Sequence, residues 1–146
     1  MGSLYFYLPS SALLVSVYWG RTEISDSMSM RAARAADPLR KQARAHVIDL
    51  SQLEGTTASP QSESAMFRAL GESYVATYGK LPTVIIAARP HMFGQARVFE
   101  TVATVGSEDM QIGVVRTWAA AAEYLGLDLT EAEAEAGRRR EAAEQG

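Results

Sequence analysis

The sequence predicts an α/β domain: a mostly parallel sheet of about four or five strands, helices on both faces, and one antiparallel edge strand. Three observations carry this prediction. Two strand-like runs flank a Pro-Ser-Ser turn near the start, and short apolar runs then alternate with segments of helical periodicity. Third, residues 45–55 read as an apolar strand that breaks, on an acidic residue, into a loop ahead of a helix starting near Pro60. The element order is ββαβαβαβα, which right-handed crossovers turn into a parallel sheet.

Residues 4–8 and 12–19 carry β-branched and aromatic side chains and form the opening hairpin around Pro9-Ser10-Ser11. That stretch is apolar, but the turn interrupts it, no Lys or Arg precedes it, and it is shorter than a spanning helix. Neither a signal peptide nor a membrane anchor is expected. Residues 25–36 are weakly amphipathic at helical spacing and stop at Asp37-Pro38, where Asp37 can cap one further turn. Residues 46–50 are almost all apolar, the pattern of a strand covered on both faces. Ser59-Pro60 starts a helix in which Met66, Phe67, Leu70, Tyr74 and Tyr78 recur at three- and four-residue steps before Gly79.

TVIIAA at 83–88 is a second buried strand. Pro90 opens a helix with Met92, Phe93, Ala96, Phe99 and Val102 on one side. Residues 111–116 make the last strand. Thr117 caps a short helix bearing Trp118, Ala121, Ala122 and Leu125, and Gly126 ends it. Residues 1–129 thus form one domain. In 130–146, Thr130 and Glu133 have capping-box spacing and Glu135–Arg139 is a favourable pair, but only alanines offer apolar surface. A charged tail, helical or disordered and mostly solvated, is expected there.

Composition narrows the function classes. The 146 residues are 47% hydrophobic and 21% charged, values of an ordinary globular domain. Fourteen basic against 17 acidic side chains give a net charge of −3, which supplies no footprint for nucleic acid. There is no cysteine, hence no thiolate chemistry, and a reducing cytoplasm is the expected location. The two histidines, His46 and His91, form no HExxH spacing, and no GxSxG, Walker or GxGxxG pattern occurs. No metal, cofactor or catalytic constellation is therefore expected. His46 reads as a hydrogen-bonded strand residue, and Asp49 as an acceptor of loop N–H groups rather than a partner of Glu54. The Tyr5, Tyr7, Tyr18 and Trp19 cluster reads as core cover or a homodimer contact.

Two stretches remain as binding candidates. Arg89, His91, Gly94 and Arg97 follow the TVIIAA strand. Free N–H groups at a helix start, two guanidinium groups and an imidazole there suit a small anionic ligand or lipid headgroup. Gly55, Thr56, Thr57 and Ser59 form the second, a loop leading into the helix at Pro60, with Ser59 placed as its N-cap.

The element order, the VIDLSQLEG segment, and the pattern from Ile112 through Trp118 to Leu125 resemble the STAS-like domains, relatives of the bacterial anti-sigma-factor antagonists and in particular their uncharacterised branch. The likeness spans 4–127. It implies a small cytoplasmic regulatory domain that docks a protein partner through the 55–62 loop and helix start, without metal or redox cofactor. The family's switch is a phosphorylated serine following an aspartate. Those two positions fall here on Ala58 and Thr57, so the phospho-switch has no serine to act on, while Thr56, Thr57 and Ser59 keep hydroxyls nearby.

Overall fold

The computed structural model describes residues 2–105, 107 and 109–146. Strands β1 (Gly2–Leu8), β2 (Leu13–Thr22), β3 (Ala45–Thr56), β4 (Thr83–Ile86) and β5 (Ile112–Val115) lie side by side in chain order. The first pair is antiparallel and each later pair parallel. Helices α1 (Ile24–Ala36), α2 (Pro60–Tyr78), α3 (Pro90–Thr104), α4 (Trp118–Leu125) and α5 (Thr130–Gln145) complete the α/β architecture that the sequence predicts. No helix among the described residues is long and apolar enough to cross a membrane.

Strand order explains where the helices go. From β2 to β5 the sheet grows one strand at a time in one direction, and right-handed crossovers of that kind leave every connecting helix on the same face. Met30 of α1, Phe67 and Tyr74 of α2, and Met92 and Phe99 of α3 accordingly pack with Ile48, Leu50 and Ile85. The opposite face is left to the chain's end. Ala121 of α4, then Ala132 and Ala136 of α5, lie against Phe6, Val15, Val17, Val47 and Val84.

This assigns α5 a role that its charge pattern conceals. Expected as a solvated tail, residues 130–145 instead form a helix whose alanine stripe is buried on the sheet, with Ala132 and Ala136 almost inaccessible. Small side chains let the backbone lie close, and the Arg139 guanidinium stacks over the Phe6 ring at 4.6 Å. The Glu135–Arg139 pair forms at 2.7 Å. The capping box does not: Thr130 is the first helical residue, and its N–H donates to Asp128.

A second departure lies in β3. Its apolar run ends at Leu50, but the strand continues to Thr56, paired with an equally extended β2 through Trp19↔Gln52 and Thr22↔Thr56. Gln52 and Glu54 turn to solvent while Leu53 and Gly55 turn inward, so the extension alternates instead of being uniformly apolar. Two register shifts bend this ribbon away from the rest of the sheet. Other local readings hold. Asp37 caps a short 3₁₀ turn at Pro38–Gln42, Ser59 accepts from the Ser62 N–H, and Thr117 from Ala120.

On the helical face α1 leans on β1, whereas α2 packs along α3. At Gly71 an added Cβ would come 2.8 Å from the Phe99 carbonyl oxygen, so glycine sets how closely α2 and α3 approach. Between α1 and α2 a gap remains.

Candidate functional site

The loops after β3 and β4 meet at the carboxyl edge of the sheet, where Glu63 binds them together. Its carboxylate is buried in the first turn of α2. One oxygen accepts from the Thr56 N–H at 3.0 Å and its hydroxyl at 2.7 Å. The other meets His91 Nε2 at 2.5 Å and accepts from Gln95 at 3.1 Å. Burial alone would raise the Glu63 pKa, but the Thr56 and His91 hydrogen bonds outweigh it and hold the carboxyl below its ordinary value.

This places the sequence-named residues. Gly55 and Thr56 are not loop residues but the buried last residues of β3, backed by Arg21, which donates to the Thr56 carbonyl at 3.1 Å. Thr57 and Ser59 are exposed; the Thr57 hydroxyl donates to Glu23 at 3.2 Å and Ser59 caps α2. Arg89, His91 and Gly94 are exposed at the start of α3, and Arg97 is exposed at the middle of that helix. His91 is turned to Glu63, Arg97 pairs within its own helix with Glu100 at 3.3 Å, and nothing lies within 4 Å of a Cβ built on Gly94. Among the described residues no three His, Asp or Glu side chains are grouped to hold a metal ion. Asp49 accepts from the Ser51 N–H at 2.9 Å, and Glu54 is exposed.

A concavity lies elsewhere, in the gap between α1 and α2. An inner hollow of about 70 Å³ is walled by Ile48, Leu50, Leu53, Phe67 and Phe99 and ends on Thr22 and Thr56. An outer groove of about 190 Å³ runs between Ala32 and Ala35 of α1 and Ser73 and Thr77 of α2. Arg31, Arg34, Leu70 and Tyr74 belong to both. Thr56 is the only sequence-named site residue on these walls.

The two arginines, three residues apart on α1, give the hollow its charge. Arg34 is 5% exposed. Its Nε donates to the Tyr78 hydroxyl at 2.6 Å and its Nη1 to the Ser16 hydroxyl at 2.7 Å. Arg31 Nη1 donates to Ser27 at 3.1 Å; burial pulls its pKa down, and the neighbouring Arg34 charge adds to that. Among the described residues no carboxylate lines the hollow or the groove.

From Arg34 a hydrogen-bonded chain crosses β2, β3 and β4. Ser16 Oγ lies 2.8 Å from His46 Nε2, His46 Nδ1 2.7 Å from the Tyr74 hydroxyl, and that hydroxyl 2.8 Å from Thr83 Oγ1, which donates to the Leu81 carbonyl. The two ends dictate its direction, because a guanidinium only donates and a carbonyl only accepts. With every proton used, Ser16 donates to Nε2, Nδ1–H to Tyr74, and Tyr74 to Thr83. Burial, reinforced by the Arg34 charge, holds the His46 pKa well below its ordinary value, so the ring is neutral as this pattern requires. Burial likewise raises the Tyr74 phenol.

Periodicity along the chain could not reveal this group, since its members are separated by entire elements. The available signal was subtler: His46 and Thr83, polar residues opening two apolar strands, are paired in register and face Tyr74 and Tyr78 one turn apart on α2. Compared with known proteins, the chain matches no family model, no curated protein and no solved structure.

Proposed function

We propose that this is a non-enzymatic, cytoplasmic binding domain of the STAS-like kind, whose ligand is a small molecule with an apolar body seated between α1 and α2. The observation that carries this reading is the inner hollow: its walls are Ile48, Leu50, Leu53, Phe67 and Phe99, yet the buried guanidinium of Arg34 and the half-buried one of Arg31 stand at its mouth. A gap of this kind forfeits packing energy in the empty protein, and an apolar occupant would recover it. Ligand binding, named from the sequence for the Arg89–Arg97 segment, is thus better served by Arg31 and Arg34.

A dye whose fluorescence rises in apolar surroundings, N-phenyl-1-naphthylamine, tests the reading. The parent protein should enhance its emission, and Leu70→Trp, which fills the gap from α2, should abolish the enhancement while keeping the far-UV spectrum. Equal enhancement by both proteins, or none by the parent, rejects the proposal.

Docking of a protein partner at the rim is a second reading, favoured by the Glu63 tie. That carboxylate fixes Thr56 to His91, so exposed Thr57 and Ser59 stand on a rigid support beside α3. In a pull-down titration Thr57→Asp should weaken capture of a partner roughly tenfold by adding charge to that surface. Unchanged capture counts against it.

A further inference from the structure

The hydrogen bonds around Arg34 specify the polar end of the ligand, and that specification rests on the ligand-binding reading under Proposed function. Buried charges in proteins are normally paired with an opposite charge. Arg34 is nine-tenths buried and bonded only to the neutral hydroxyls of Tyr78 and Ser16. Its Nη2 has no hydrogen-bond partner among the described residues, and Arg31 reaches only the neutral hydroxyls of Ser27 and Tyr18. None of the ion pairs among the described residues includes either side chain. Two guanidinium groups thus sit at the entrance to one apolar hollow, bonded to neutral hydroxyls alone and without a counter-ion among the described residues.

The direction of the buried chain limits what Ser16 can offer a headgroup. Ser16 commits its proton to His46 and its oxygen to Arg34, and Tyr78 already accepts from Arg34. What Arg34 and Arg31 present at the mouth is therefore donors. An alcohol, amine or amide would leave both guanidinium charges without a counter-charge, whereas an anionic group made only of acceptors would pair with them. The donor edges are few and the adjoining wall is apolar, which favours a singly charged, two-oxygen headgroup over a phosphate with three oxygens to satisfy.

We infer that the hollow between α1 and α2 is a binding site for a short-chain monocarboxylate, its carboxylate held by Arg34 and Arg31 and its hydrocarbon body lying among Leu53, Phe67 and Phe99.

Displacement of the naphthylamine dye by octanoate, octanol and octyl phosphate separates the possibilities. Octanoate should displace the dye at a concentration roughly tenfold or more below octanol, the worth of one charge-assisted hydrogen bond. Arg34→Met should erase that preference, and Arg31→Met should reduce it several-fold with octanol unaffected. Arg31 is only half-buried and outside the buried chain, so its variant decides the matter if Arg34→Met fails to fold. Equal displacement by octanoate and octanol overturns the carboxylate assignment while leaving the hollow as a binding site. Tighter displacement by octyl phosphate also overturns it. A parent protein that takes up no dye and responds to none of the three in thermal unfolding overturns both the assignment and the reading beneath it.

Discussion

The two faces of the sheet are covered by helices of opposite character, and the less promising set packs more tightly. On the α4/α5 side the buried residues of the two helices are alanines, with Ala121, Ala132 and Ala136 at 2% exposure or less. The Tyr124 ring lies so close to the sheet that a Cβ on Gly113 would come within 2.5 Å of it. On the other side large side chains, Phe67, Tyr74, Met92 and Phe99, face the sheet, yet a hollow remains beside them. A void is thus set by the separation of helices more than by the bulk of what they carry. Small residues bring a helix axis near, whereas across the gap it is the long Arg34 side chain of α1 that reaches Tyr78 of α2.

Enlarging one side chain on each face should break the symmetry most plainly. Ala121→Leu has no room and should destabilise the fold by about 3 kcal/mol, whereas Leu70→Trp, growing into the gap, should cost under about 1 kcal/mol in urea titrations. Similar losses in both would mean that the hollow is closed in solution.

Next in size is the polar chain beneath the helical face. Tyr74→Phe removes the acceptor of the His46 N–H and the donor to Thr83 together, and should cost about 2 kcal/mol with little change in volume. Calorimetry giving a cost below about 0.5 kcal/mol would show that these hydrogen bonds do not hold that face together.

The smallest effect is a dependence on pH. His46 is neutral when folded and takes up a proton when unfolded, so below its ordinary pKa of 6.5 the unfolded chain binds more protons and stability falls. The loss should approach about 1.4 kcal/mol per pH unit between roughly pH 6 and pH 5, and His46→Gln should flatten it. Glu63 and its lowered pKa act in a different window, since its contribution is intact above the ordinary value of 4.5 and lost only in more acidic solution. The α4/α5 face carries no histidine, so substitutions there should leave the slope unchanged.

Legibility in the sequence follows from how far apart cooperating residues lie. Apolar runs marked the strands at 46–50 and 83–88, and single residues such as Ser59, Asp37 and Thr117 marked helix starts, because each acts within three positions of itself. The extension of β3 was hidden because Gln52 and Glu54 look like loop residues unless β2 is known to run alongside. The docking of α5 was hidden because alanine is scored by its own small area and not by the approach it allows. The rim could be foreseen as an edge where loops gather, but Glu63 as its fastener could not, since only the fold brings Thr56, His91 and Gln95 to it. Arg31 and Arg34 lie in a segment that reads only as a weakly amphipathic helix, and no local pattern singles them out.

The one-way run from Arg34 to the Leu81 carbonyl has a consequence for how this protein can change over time. Each link orients the next, so the five side chains at 16, 34, 46, 74 and 83 behave as a single unit whose losses do not add. Once one is replaced, the others are burdens rather than assets. Related chains should therefore keep the quintet whole or exchange it wholesale for hydrocarbon, with intermediates scarce.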